Sequence, residues 1–257
     1  MKNKTSKTHL AVKKFCALAI ALILIITQTA CGENNANTGV SKTGFYLDTI
    51  CTITIFGMYD SSGALFDLSE EELNQKLLLL ITDAFKICDR YEKMLSKTIE
   101  TSDIARINAA GGKSVKVNEE TIEVIQKGIL YGELSQGAFD ITIGKASDLW
   151  GFREAEADEE TESGMSGQVP DADTLAETMK HVDWSKVKIK DDSVQLEDPE
   201  MELDLGGIAK GYIADKVTQF LEDAGVTSAI VDLGGNIVAI GGKAGALVNA
   251  ESEPIAF

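Results

Sequence analysis

The chain of 257 residues reads as an α+β protein with a single domain, a mixed sheet and packed helices. Two long stretches repeat apolar residues at helical spacing, and several short stretches alternate β-branched residues as strands do. No internal repeat or second set of such elements follows, and 44% hydrophobic residues over this length supply one substantial core.

The N-terminus stands apart from that core. Lys2, Lys4, Lys7, Lys13 and Lys14 precede an apolar run from Phe15 to Ile26, which ends at Thr27, Gln28, Thr29, Ala30 and Cys31. A charged segment, a short apolar segment and a small residue before a cleavage point describe a secretory signal over residues 1–30. Ala30 before Cys31 resembles a bacterial lipoprotein processing site, which makes Cys31 the expected lipidated residue and the extracytoplasmic face of the cell membrane the expected location. Gln28 departs from that pattern, so ordinary cleavage and an uncleaved anchor are the alternatives. Residues 31–43, rich in Asn, Thr, Ser and Gly, then form a polar tether.

Strand spacing begins at Thr49 to Phe56, and Gly57 to Gly63 reads as a turn. Ser69 and Glu72 have the capping-box spacing, and Leu73, Leu77, Leu80, Ile81, Phe85, Cys88 and Tyr91 continue a helix to about Leu95. Ser102 to Asn108 is a short helix stopped by Gly111 and Gly112. Asn118 opens another whose Ile122, Ile125, Ile129 and Leu130 are expected to face inward, with Gly137 closing it. The run Gly137-Ala-Phe-Asp-Ile-Thr-Ile-Gly144 fits either a corner with Phe139 in the core or a pocket where small residues let a flat ring lie on backbone and Asp140 accepts a hydrogen bond. Acid-rich residues 154–162 and 171–177, around Gly164, Gly167 and Pro170, read as a solvated insertion. Val187 to Ile189, Val194 to Leu196 and Met201 to Leu205 read as short strands. Ser228 to Leu233 and Ile237 to Ile240 form a hairpin around Gly234-Gly235-Asn236.

Between them lies Asp204-Leu-Gly-Gly-Ile-Ala-Lys-Gly-Tyr-Ile-Ala-Asp-Lys216. Glycines at a helix start let a ligand approach the backbone, and the helix dipole favours an anion there; Lys210 adds a point charge and Asp204 an acceptor. A tight turn with close helix packing is the other reading, and neither the P-loop nor the dinucleotide spacing is present. Cys51 and Cys88 have no metal or redox spacing and read as small core residues; a disulfide between them is permitted but not specified. His9 falls in the signal, and His181 fits a helix end or the surface. Removing the five signal lysines from a net charge of −17 leaves −22, which repels nucleic acid.

In order along the chain, Leu47-Asp-Thr, Leu95-Ser with Ser102 to Asn108, Gly137 to Gly144, Leu149-Trp-Gly-Phe152, Asp204 to Gly211 and Gly234-Gly-Asn236 resemble the FAD:protein FMN transferases of the ApbE family. The resemblance implies an ApbE-like, T-fold-like domain over residues 44–242. It implies FAD contacts at Leu47, Thr98, Ala138, Phe139, Asp140, Asp204 and Lys210, and a magnesium contact through the Gly207 carbonyl; no catalytic side chain is assigned. The implied reaction is Mg²⁺-dependent transfer of FMN from FAD to a threonine or serine hydroxyl of exported or membrane flavoprotein subunits, with release of AMP. An FAD pyrophosphatase and a catalytically inactive FAD-binding surface lipoprotein are the alternatives. Residues 243–257 are expected to fall outside the resemblance, because they contain no histidine or aspartate where the family has a histidine and an aspartate metal ligand. The chain is therefore expected to be a C-terminally truncated member.

Overall fold

The computed structural model describes residues 39–58, 68–151 and 167–242. The chain divides into two compact units, Met1–Thr38 and Gly39–Phe257, and every described residue belongs to the second. The signal segment with Cys31, the acidic run at 154–162, Phe152 and the tail at 243–257 lie outside the described residues. Among those described, no helix is long and apolar enough to cross a membrane.

Strand β1 (Val40–Tyr46) turns through Leu47 and Asp48 into β2 (Thr49–Met58), and the two pair antiparallel from Tyr46↔Thr49 to Val40↔Ile55. Residues 40–43, assigned above to the tether, are thus in a strand. Their polar composition is compatible with it because Ser41 and Thr43 exchange hydroxyl hydrogen bonds with Thr54 and Thr52 across the pair. Strands β6 (Val226–Leu233) and β7 (Asn236–Ile240), described further below, complete an antiparallel sheet of order β1-β2-β6-β7. Cys51, Ile53 and Ile55 of β2 and Ala229, Val231 and Leu233 of β6 point to one buried face, as period-two alternation requires.

That face is covered by helices. Helix α1 (Glu70–Leu95) starts at the expected capping box: the Ser69 hydroxyl accepts from the Glu72 amide, and the Glu72 carboxylate accepts from the Ser69 amide at 3.0 Å. Its Leu77, Ile81, Phe85, Cys88 and Tyr91 are buried at 3–4 residue spacing. Helix α2 (Asp103–Asn108) and β3 (Val115–Lys116) lead to α3 (Glu119–Leu134). Val124 and Ile125 of α3 are fully buried, but Leu130 is 50% exposed and not inward as expected, because it falls beside Tyr131 on the outer side of the last turns. Short helices α4 (Gly144–Asp148) and α5 (Ala172–Thr178) follow, then β4 (Val187–Lys190) and β5 (Ser193–Leu196), which with β3 make a second antiparallel sheet of order β3-β5-β4. The sheet content is therefore divided in two, within the α+β class.

Among the described residues Met201 to Leu205 forms no ladder; its sheet-like link is an isolated parallel bridge between Glu202 and Ile143. Its backbone groups are satisfied otherwise. The Asp204 amide donates to the Ile141 carbonyl, the Glu202 carbonyl accepts from Gly144, and Asn108 exchanges both bonds with Leu203. This run delivers the chain to α6 (Gly206–Asp223), which packs on α1, β6 and β7.

Candidate functional site

A cleft of about 550 Å³ opens where the β1–β2 turn, the end of α1, the end of α4 and the start of α6 meet. Its volume is in the range of cofactor sites, roughly 300–1,000 Å³. Leu47 and Asp48 come from the turn; Tyr91, Glu92 and Leu95 from α1; Ser96, Lys97 and Thr98 from the loop that follows. Ser147, Asp148 and Gly151 come from α4 and beyond, and Asp204 to Gly206, Ala209, Lys210 and Ile213 from the approach to α6 and its first turns.

The start of α6 is built by Asp204. Its Oδ1 accepts from the Gly206 amide at 2.8 Å, and its Oδ2 from the Ser147 hydroxyl at 3.2 Å. The amides of Ile208 and Ala209 donate to the Leu205 carbonyl. Most first-turn amides are thereby engaged within the protein, so the helix end acts on a ligand through its dipole more than through free N–H donors. Lys210, one turn on, lines the cleft and forms no ion pair among the described residues. In the loop after α1, which also lines the cleft, the Thr98 hydroxyl pairs with that of Ser96 at 2.8 Å.

Four of the residues assigned from sequence, Leu47, Thr98, Asp204 and Lys210, thus share one cleft. Phe139 and Gly207 lie together in a shallower depression of about 450 Å³, with Tyr131, Leu134, Ser135 and Ile208. The Phe139 ring meets Tyr131 edge to face at 6.3 Å, and its Cε2 lies 3.0 Å from where a Cβ on Gly207 would sit, so the missing side chain makes room for the ring. Consecutive glycines divide the two hollows: Gly206 lines the cleft and Gly207 the depression. Ala138 is exposed and lines neither. Asp140 lines neither; its carboxylate accepts from the Thr142 amide and hydroxyl at 2.8 and 2.7 Å and from the Trp184 amide at 2.9 Å, which ties the corner after α3 to the turn before β4.

Among the described residues no three histidine, cysteine or acidic side chains are placed to hold a metal. The acids nearest the cleft floor, Asp148, Glu202 and Asp204, surround Lys97 instead, with Nζ–O distances of 2.8, 3.3 and 3.3 Å. Sequence reasoning passed over Lys97, since its oxygen partners are 47 or more residues away along the chain. It also passed over Asp103, a buried carboxylate that accepts from Arg106, from the Asn118 amide and side chain, and from Thr121. His181 is 38% exposed and joined to Asp198 at 2.8 Å, a surface pair that holds the Asp198 carboxyl below its usual range. Cys51 and Cys88 are free thiols in the core, and burial pushes both up, Cys88 to about 12.

The family model for the ApbE family matches residues 47–251, beginning at the cleft residue Leu47 and running nine residues past Gly242. The FAD:protein FMN transferase of Treponema pallidum is 28% identical over 246 residues, covering 92% of this chain and 61% of the relative. One from Klebsiella pneumoniae is 34% identical over 166 residues, 63% of this chain and 49% of the relative. The apo crystal structure of the Pseudomonas stutzeri flavinyl transferase ApbE superposes with a TM-score of 0.61 at 25% identity, over 79% of this chain and 58% of that one. The aligned part of this chain spans about half to three fifths of the length of these relatives. By the match over most of its described residues, the chain belongs to the ApbE family.

Proposed function

We propose that the chain acts as an FAD:protein FMN transferase, with FAD bound in the cleft between α1 and α6. The observation that carries this reading is the meeting of Leu47, Thr98, Asp204 and Lys210 around one cavity of cofactor size. Leu47 offers an apolar surface to a flavin ring, Asp204 an acceptor for a ribose or base, and Lys210, with the dipole of α6, positive potential for the diphosphate. The acceptor's threonine or serine oxygen forms a new bond to the FMN phosphorus as the bond from that phosphorus to the bridging oxygen breaks. AMP leaves with the bridging oxygen, and the hydroxyl proton is lost to solvent or a base.

Charge balance supports dependence on Mg²⁺. Among the described residues the cleft is lined by Asp48, Glu92, Asp148 and Asp204 against Lys97 and Lys210, so a diphosphate needs additional positive charge to settle there. The described residues do not make a complete metal site: Gly207, whose carbonyl the resemblance assigns to the ion, lines the other hollow, and Asp148 and Asp204 are held by Lys97. Lipidation at Cys31, an extracytoplasmic location on the cell membrane and exported flavoprotein subunits as acceptors belong to the same proposal, supported by the charged and apolar N-terminal pattern.

The test is to incubate the full chain with FAD, Mg²⁺ and an acceptor peptide carrying threonine, then measure flavin fluorescence that survives denaturing electrophoresis. Covalent fluorescence and AMP in equal amounts are expected. Free FMN and AMP without labelled peptide would replace the transferase by an FAD pyrophosphatase, and saturable FAD binding with no product would leave a binding protein.

A further inference from the structure

Lys97 is an enclosed cation of the cleft, with its side chain 8% exposed. Its Nζ lies 2.8 Å from Asp148 Oδ1, 3.0 Å from the Gly144 carbonyl, 3.3 Å from both Glu202 Oε1 and Asp204 Oδ2, and 3.4 Å from Ser147 Oγ. These oxygens belong to α4 and to the run Met201 to Leu205 before α6, while Lys97 itself follows α1. One ammonium therefore joins the three segments that form the floor. An ammonium has three protons, so the five oxygens share them and the cage is held chiefly by charge. Without that charge, three carboxylates, two of them partly buried, would face one another.

The cage also determines where Asp204 points. Oδ1 is fixed by the Gly206 amide and Oδ2 by Lys97, with the single Ser147 hydroxyl proton shared between Oδ2 at 3.2 Å and the Gly144 carbonyl at 2.8 Å, so rotation of the carboxylate breaks bonds on both sides. The backbones are already in contact: a Cβ on Gly144 would lie 2.6 Å from the Glu202 carbonyl oxygen, so the cage closes only with glycine there.

We infer that Lys97 is a positioning residue for the flavin nucleotide: it holds Asp204 at the cleft floor, and its effect on affinity passes through that carboxylate. This rests on the proposed binding of FAD in the cleft. Because removing Lys97 alone sets three carboxylates against one another, the test is made in a full-length Asp148→Asn/Glu202→Gln background, where only Asp204 stays charged. FAD affinity is measured by flavin fluorescence for that background, for Lys97→Met, for Asp204→Asn and for both together, with thermal melts to verify folding.

The expected result is that Lys97→Met weakens FAD binding about tenfold when Asp204 is present and changes it less than about twofold when Asp204 is already Asn, the signature of a coupled pair. In turnover, Lys97→Met raises KM for FAD and leaves kcat within about threefold, as for lost ground-state binding. A purely structural role would weaken binding equally with and without Asp204. Equal losses, or a fall in kcat at unchanged KM, overturn the inference alone. Absence of saturable FAD binding by the unaltered chain overturns it together with the FAD reading.

Discussion

Leu47 and Asp48 both have left-handed backbones, φ 57° and 55°, in the two-residue turn between β1 and β2. Asparagine and glycine suit such a turn, whereas a leucine there is strained, at a cost of about 1–2 kcal/mol. The turn lines the cleft, so the strain is located where an apolar side chain can serve a ligand. Replacing the pair by Leu47→Asn/Asp48→Gly is expected to stabilise the fold by about 1 kcal/mol in urea titrations while weakening FAD binding about tenfold. Cys88 gives a second residue-level prediction. Burial pushes its thiol up to about 12, so ionisation favours the unfolded chain. Stability from this group is intact below the ordinary thiol value of 9.0 and falls as pH rises towards 12. Urea melts across that window should show the decline, and Cys88→Ala should flatten it although its cavity lowers stability at neutral pH. The inward position of Cys88 is legible from helical spacing; the left-handed Leu47 is not, because leucine carries no turn signal.

At the scale of elements, local signals were readable and distant ones were not. The α1 capping box lies within four residues of sequence, and α6 starts at the expected glycine pair. Asn118 precedes α3 as expected, yet its side chain makes no cap; it donates to Asp103, 15 residues earlier. Asp103 thus links α2 to the start of α3 by three bonds, from the Asn118 amide, Asn118 Nδ2 and Thr121 Oγ1. Asp103→Ala leaves the buried Thr121 hydroxyl and the two part-buried Asn118 donors without their acceptor and should cost about 3 kcal/mol, against about 1 kcal/mol for Ser69→Ala at the α1 cap. Thermal or urea melts of the two variants check the order; equal costs would count against Asp103 as the joint. Met201 to Leu205 reads as a strand by composition and does not pair as one, since Asn108 and the Ile141–Gly144 backbone take its hydrogen bonds.

For the whole molecule, the α+β class and the Gly-Gly-Asn hairpin followed from periodicity and turn residues, while the division into two antiparallel sheets depends on pairings between distant strands such as β2 with β6. The candidate site shows the same contrast. Its motif-bearing residues Asp204 and Lys210 were legible, but the cleft they line is completed by Lys97, Ser147 and Asp148, which carry no motif and converge only after α1, α4 and α6 pack. The most direct measurement is an FAD titration of the full chain followed by flavin fluorescence, with Lys210→Met and Asp171→Ala beside it; Asp171 caps the exposed start of α5. Saturable binding that weakens about tenfold with Lys210→Met, the loss of one charged contact, and is unchanged by Asp171→Ala is the expected result. Absence of saturation, or equal effects of the two substitutions, would contradict FAD in this cleft.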